Sequence, residues 1–159
     1  MFPKMRRLSQ QLPAQECIDI LCRNTHGTLA LLGDNGYPYA LPLSYVYTQG
    51  KLVFHGATVG HKVECLKNCN KASFCVVDKD EVIPEHYTTH YQSVIAFGKV
   101  SMLTDFGKEM IDLMMPLAAK YRPTGTDEQH HAAIDNEKTG LCVFVMEIEH
   151  MTGKTAKTP

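Results

Sequence analysis

Between Leu52 and Val63 a histidine, two glycines and a His-Lys pair stand where a strand would give way to a helix. Leu52-Val53-Phe54-His55 is β-like, Gly56 and Gly60 open the backbone for a turn, and His61-Lys62-Val63 begins an amphipathic helix. Free N–H groups at a helix N-terminus, with a fixed ammonium beside them, are what an anion needs. The chemistry this order suits is the holding of a phosphorylated cofactor. Lys62 supplies the cation, and His61 supplies a hydrogen bond or caps the turn. Gly56 and Ala57 lack the bulk that would keep a phosphate from the backbone. His55 ends the strand one turn away, and imidazole in general titrates near neutral pH, so it could deliver a proton. Each residue also has a plain structural reading: a solvated lysine on a helix face, and a histidine that anchors the turn.

Other clusters carry less. His61, Cys65 and Cys69 share a helical face, yet at 1.5 Å rise per residue they spread over about 12 Å, too far for one ion. No metal is expected. None of the six cysteines forms a CxxC pair, and without an export signal reduced thiols are expected. His130-His131 and Glu85-His86 read as solvated loop, and Met110, Met114 and Met115 as core or subunit contact.

The chain has 159 residues with a formal net charge of -1. That length suits one domain spanning 1–159, and that charge gives no reason to expect nucleic acid or an anionic membrane. No apolar run approaches the length of a spanning helix, and polar Ser9-Gln10-Gln11 stands where a signal sequence would be apolar, so a cytoplasmic protein is expected.

The elements that would position these residues follow from periodicity. A helix runs from Pro13 to about Arg23 with Cys17, Ile18, Leu21 and Cys22 on one side. Strands are expected over Gly27–Leu32, Tyr37–Tyr47, Lys51–His55, Lys71–Asp78, Tyr91–Thr104 and Leu141–Glu149, with a hairpin turn at Gly33-Asp34-Asn35-Gly36 and a bend at Gly98. Pro42 cannot donate to a ladder, so its strand has a free edge or bulge there. Helices are expected over His61–Asn68 and Phe106–Tyr121. Lys79–Thr88 reads as a polar loop and Arg122–Thr139 as a mobile excursion. The arm 1–12 and the tail 152–159 read as extended or mobile, with fraying from Thr152. Tight turns between neighbours make the sheet largely antiparallel, and the βαβ rhythm of a doubly wound fold is missing.

Taken in order, Tyr37-Pro38-Tyr39-Ala40-Leu41-Pro42-Leu43-Ser44-Tyr45, Phe54-His55-Gly56-Ala57, His61-Lys62 and Ser93-Val94-Ile95-Ala96-Phe97-Gly98-Lys99-Val100 resemble the flavin-binding split-barrel proteins. Within the pyridoxamine 5'-phosphate oxidase-like group the chain is most similar to the nitroimidazole-resistance branch, which Met5-Arg6-Arg7 and Thr152-Gly153-Lys154 also resemble. The resemblance implies a mainly β chain with flanking helices (α+β), a six-stranded antiparallel split β-barrel. It also implies a homodimer with FMN at the subunit interface, and reduction of nitroaromatics such as 5-nitroimidazoles, with NAD(P)H as a candidate electron donor. On this basis Pro42, Leu43, Ser44 and Tyr45 border the flavin ring, His55 faces its reactive side, His61 and Lys62 meet the phosphate, and Ser93 bonds to the cofactor. The alternatives are a pyridoxamine-phosphate-oxidase-like enzyme on a B6 vitamer and a non-catalytic flavin or haem protein. A haem would need an axial ligand such as His55, His90 or His150.

Overall fold

The computed structural model describes residues 2–156. Seven strands form one antiparallel sheet in the order β2-β1-β5-β6-β7-β4-β3. They are β1 His26–Leu32, β2 Pro38–Ser44, β3 Val46–Thr48, β4 Lys51–Ala57, β5 Lys71–Ile83, β6 Thr88–Leu103 and β7 Leu141–Ala156. Four helices accompany them: α1 Ala14–Arg23, α2 His61–Asn68, α3 Lys108–Tyr121 and α4 Asp127–Glu137.

β2 and β3 are the two edges of the sheet, yet only Tyr45 separates them in the chain. The sheet is therefore rolled until its edges meet, and β2 approaches β4 across the gap. That is a split-barrel arrangement, with seven strands where six were expected. The expected single strand Tyr37–Tyr47 is cut in two because the chain crosses from one edge to the other at Tyr45. The Tyr45 ring is fully buried against Phe74 at 4.9 Å, and its hydroxyl donates to the Leu21 carbonyl at 2.8 Å.

Three polar segments are more ordered than the sequence suggests. The expected loop at 79–88 is instead the continuation of β5 to Ile83, a short 3-10 turn at Pro84–His86, and a left-handed Tyr87 that reverses the chain into β6. The expected excursion at 122–139 contains α4, started by a capping box: Thr126 accepts from the Gln129 N–H, and the Gln129 side chain accepts from the Thr126 N–H. Residues 152–156 do not fray; they pair with Tyr91–Ile95 of β6. In the arm, Leu8–Gln10 is a 3-10 turn and Gln11 bridges to Lys154. Met1 and residues 157–159 lie outside the described residues.

Two apolar layers follow from strand alternation. Leu52, Phe54, Phe74, Phe144, Leu29 and Val76 fill the barrel, closed by Cys17, Ile20 and Leu21 of α1 and Val63 and Leu66 of α2. The buried face of α1 is thus centred on Ile20, and Cys22 is exposed. On the other side of β4, Val53, Val143 and Val145 are covered by Met110, Met114 and Leu117 of α3 and Ile134 of α4. Each buried side chain of this size contributes roughly 1.5–3 kcal/mol.

A bulge in β5 at Asp78 ties α1 down: Arg23 makes two bonds of 2.7 Å to the carboxylate and the Asn24 side chain a third of 2.7 Å. These partners, Arg23 first, hold the Asp78 carboxyl below the usual carboxylate range. The expected bend at Gly98 is a register shift between Phe97 and Gly98. No helix among the described residues is long and apolar enough to cross a membrane.

Candidate functional site

β4 positions the candidates, and its alternation sorts them. Phe54 packs into the barrel layer and Val53 into the layer under α3, so Gly56 faces the barrel side and His55 the helical side. The contacts agree. A Cβ at Gly56 would lie 2.5 Å from Lys62 Nζ and 3.6 Å from the Phe144 ring. His55 instead lines a cavity with Met114, Leu117 and Ile134. Lys62 and His55, read from sequence as parts of one pocket, therefore stand on opposite faces of the strand.

On the barrel side, Gly60 precedes α2 with φ +123°, a conformation that favours glycine, and its carbonyl accepts from the N–H groups of Val63 and Glu64. The N–H groups of His61 and Lys62 lie in the first turn, outside the helix's own ladder. The Lys62 ammonium rests over Gly56, 5.2 Å from the Phe144 ring centroid, and takes part in no ion pair among the described residues. The His61 ring meets Tyr39 of β2 edge-on at 4.5 Å, and its Nε2 is 3.7 Å from Cys65 Sγ. α2 thus starts beside the free edge of β2. Among the described residues no group of three or more His, Cys, Asp or Glu side chains could hold a metal ion.

On the helical side, Ser44 and His55 share a cavity of about 250 Å³ beneath α3 and α4. His55 Nε2 lies 4.0 Å from Glu137 Oε2, and His55 Nδ1 is buried without a hydrogen-bond partner. An orphaned buried donor or acceptor costs about 1–3 kcal/mol. The helical hairpin above is pinned at one end: Lys120 Nζ donates to the Asn24 carbonyl at 2.5 Å, and the Tyr121 hydroxyl to the Thr25 carbonyl.

The remaining expected site residues divide. β2 alternates, with Leu43 turned toward the barrel layer and Pro42 and Ser44 exposed, and its far edge pairs with no strand, as Pro42 requires. The Tyr45 ring is buried, and both its hydroxyl and its N–H are bonded within the chain, to Leu21 and Thr25. Ala57 is exposed at the end of β4. Ser93 sits elsewhere on the sheet: it pairs with Lys154 of β7, whereas Gly56 pairs with Cys142, twelve residues away along β7. His150, named as a haem ligand, stacks on Phe2 at 4.6 Å.

The sequence reading missed Glu137, Tyr39 and the lining from α3 and α4. Thr126-x-x-Gln129 was the available signal for α4, since a capping box marks a helix start.

Comparison with known proteins agrees with this architecture. No curated protein matches the sequence. A candidate 5-nitroimidazole antibiotic resistance protein from Bacteroides thetaiotaomicron superimposes with a TM-score of 0.77 at 20% identity, over 91% of this chain and 86% of that one. A conserved hypothetical protein from Mycobacterium tuberculosis gives 0.81 at 16% identity, over 96% and 90%. An FAD and heme binding protein from Mycobacterium smegmatis gives 0.72 at 20%, over 94% and 74%. At such identities the likeness is one of fold. The sequence itself matches the family model for pyridoxamine 5'-phosphate oxidase over residues 13–155, and the chain belongs to that family.

Proposed function

We propose that the chain is an FMN-dependent reductase of small electron-poor compounds, 5-nitroimidazoles among them, and that it works as a homodimer with NAD(P)H as electron donor. The observation that carries this reading is Lys62: an ammonium at the N-terminus of α2, on a glycine floor, with no acidic partner among the described residues. The residues present fit the anionic end of a flavin mononucleotide, because the Lys62 ammonium over Gly56 stands beside the unpaired first N–H groups of α2. The likeness to a candidate nitroimidazole-resistance protein and to an FAD and heme binding protein supports a redox cofactor on this fold.

FMN, when bound, supplies the transfer of hydride or electrons. The chain does the rest. Lys62 and the first N–H groups of α2 neutralise the phosphate. Pro42, Leu43 and Ser44 offer the free edge of β2 to the polar rim of the ring. His55 holds a proton on the cavity side of β4, where a substrate could take it. Ser93, twelve β7 positions from Gly56 in the ladder, is assigned to the cofactor of a second copy in this reading. A B6 phosphate is a poorer substrate than a neutral ring, because no lysine or arginine lines the cavity and Glu137 does.

The test is anaerobic and spectroscopic. NAD(P)H should bleach the flavin band at about 450 nm, and a 5-nitroimidazole should restore it. His55→Ala should keep the band and slow the restoration about 10²-fold. A band that NAD(P)H reduces but no nitroaromatic reoxidises would leave a flavin carrier and overturn the reductase.

A further inference from the structure

The cavity under α3 and α4 has a size, a lining and a polar end that together describe a ligand. Its volume is about 250 Å³. A cavity of about 150 Å³ takes benzene, so this one has room for a substituted ring or two small fused rings. Met114, Leu117, Ala118 and Ile134 make its walls apolar. Its polar groups include the His55 imidazole and the Glu137 carboxylate, 4.0 Å apart, with Ser44 also on the lining.

We propose that this cavity is a binding site for a small, neutral, largely apolar heteroaromatic compound carrying a donor and an acceptor on one edge. The Glu137 carboxylate accepts from the ring's N–H, and an imidazole N–H of His55 donates to a ring nitrogen or to an attached oxygen. An anion is disfavoured by Glu137 with no cation on the lining to offset it. The inference rests on the flavin reading for one point, that His55 faces the reaction; binding in the cavity requires no cofactor. Benzimidazole has the required edge and a size that fits.

The probe is benzimidazole, titrated at pH 7.5 into full-length protein labelled with 13C on the methionine methyl groups, with and without FMN. The Met114 methyl resonance should move saturably, with a Kd on the order of 1 mM or tighter. Ala118→Phe, which fills the cavity, should weaken binding at least tenfold. Glu137→Ala, an exposed change at the rim that leaves the fold alone, should weaken it about fivefold. Benzoate, similar in size but anionic, should bind at least tenfold more weakly than benzimidazole. A Met114 signal that does not move, or that moves equally in both variants, would overturn the proposal. Competition between FMN and benzimidazole would also overturn it, by assigning the cavity to the flavin itself. Benzimidazole bound by a protein that takes no FMN would uphold the cavity and remove the flavin reading.

Discussion

At the scale of single residues, the account turns on the Lys62 ammonium that rests over Gly56 at the start of α2. Lys62 and Gly56 could be paired from sequence because a helix start beside a glycine is a local arrangement, and the structure brings them within contact. His55 is adjacent to Gly56 in the chain and so reads as its partner, but strand alternation sends its side chain to the other face. Ser93 could not be placed at all, because its distance from Gly56 depends on the register of β7. Asp78 was invisible for the same reason: its partners Arg23 and Asn24 lie more than fifty residues away in the chain. Its carboxyl is held low in the folded state, so its contribution is present above the unfolded value of about 4 and is lost as pH falls through the folded one. Asp78→Asn should therefore cost about 1–2 kcal/mol at pH 7 in urea unfolding, and the difference should shrink as pH falls below the usual carboxylate range. An unchanged midpoint at pH 7 would show that the bridge contributes nothing.

At the scale of elements, apolar periodicity found the barrel strands and three helices, while polar surfaces hid the rest. The outer halves of β5 and β6 form a hairpin that stands in solvent on both faces, so Lys79–Thr88 shows no alternation to read. α4 buries little besides His130 and Ile134, which leaves its capping box as the only strong mark. β7 continues past Glu149 because β6 is long enough to pair with it to Ala156. Where these two strands shift register, Gly98 lies under the Glu147 carbonyl with no room for a Cβ. Backbone on both sides cannot yield as a flexible side chain would. Gly98→Ala should lower stability by about 2–4 kcal/mol, read as a fall in thermal midpoint, with the spectrum of any bound flavin unchanged in the fraction that folds. A midpoint within one degree of the parent would mean that the two strands adjust freely.

At the scale of the whole molecule, the rolled sheet leaves two features that a second copy would explain. One is the separation of Ser93 from the Lys62 region. The other is the set of exposed apolar residues on β5, β6 and their tip: Val77, Val82, Tyr87 and Ile95, with Tyr87 99% exposed. Exposed apolar groups gathered on one hairpin suit an interface. Sedimentation equilibrium should give twice the chain mass at micromolar concentration, and Val82→Asp with Tyr87→Asp should shift it toward the monomer while weakening FMN binding. A monomer that binds FMN fully would remove the interfacial site. The central claim, that the turn from β4 into α2 grips the phosphate of a flavin nucleotide, is tested most directly by titrating the protein with FMN and with riboflavin and following flavin fluorescence. FMN should bind at least tenfold more tightly than riboflavin, a margin of about 1.4 kcal/mol, and Lys62→Ala should erase that margin while riboflavin affinity holds. Equal affinities in the parent protein, or no binding of either at tens of micromolar, would contradict it.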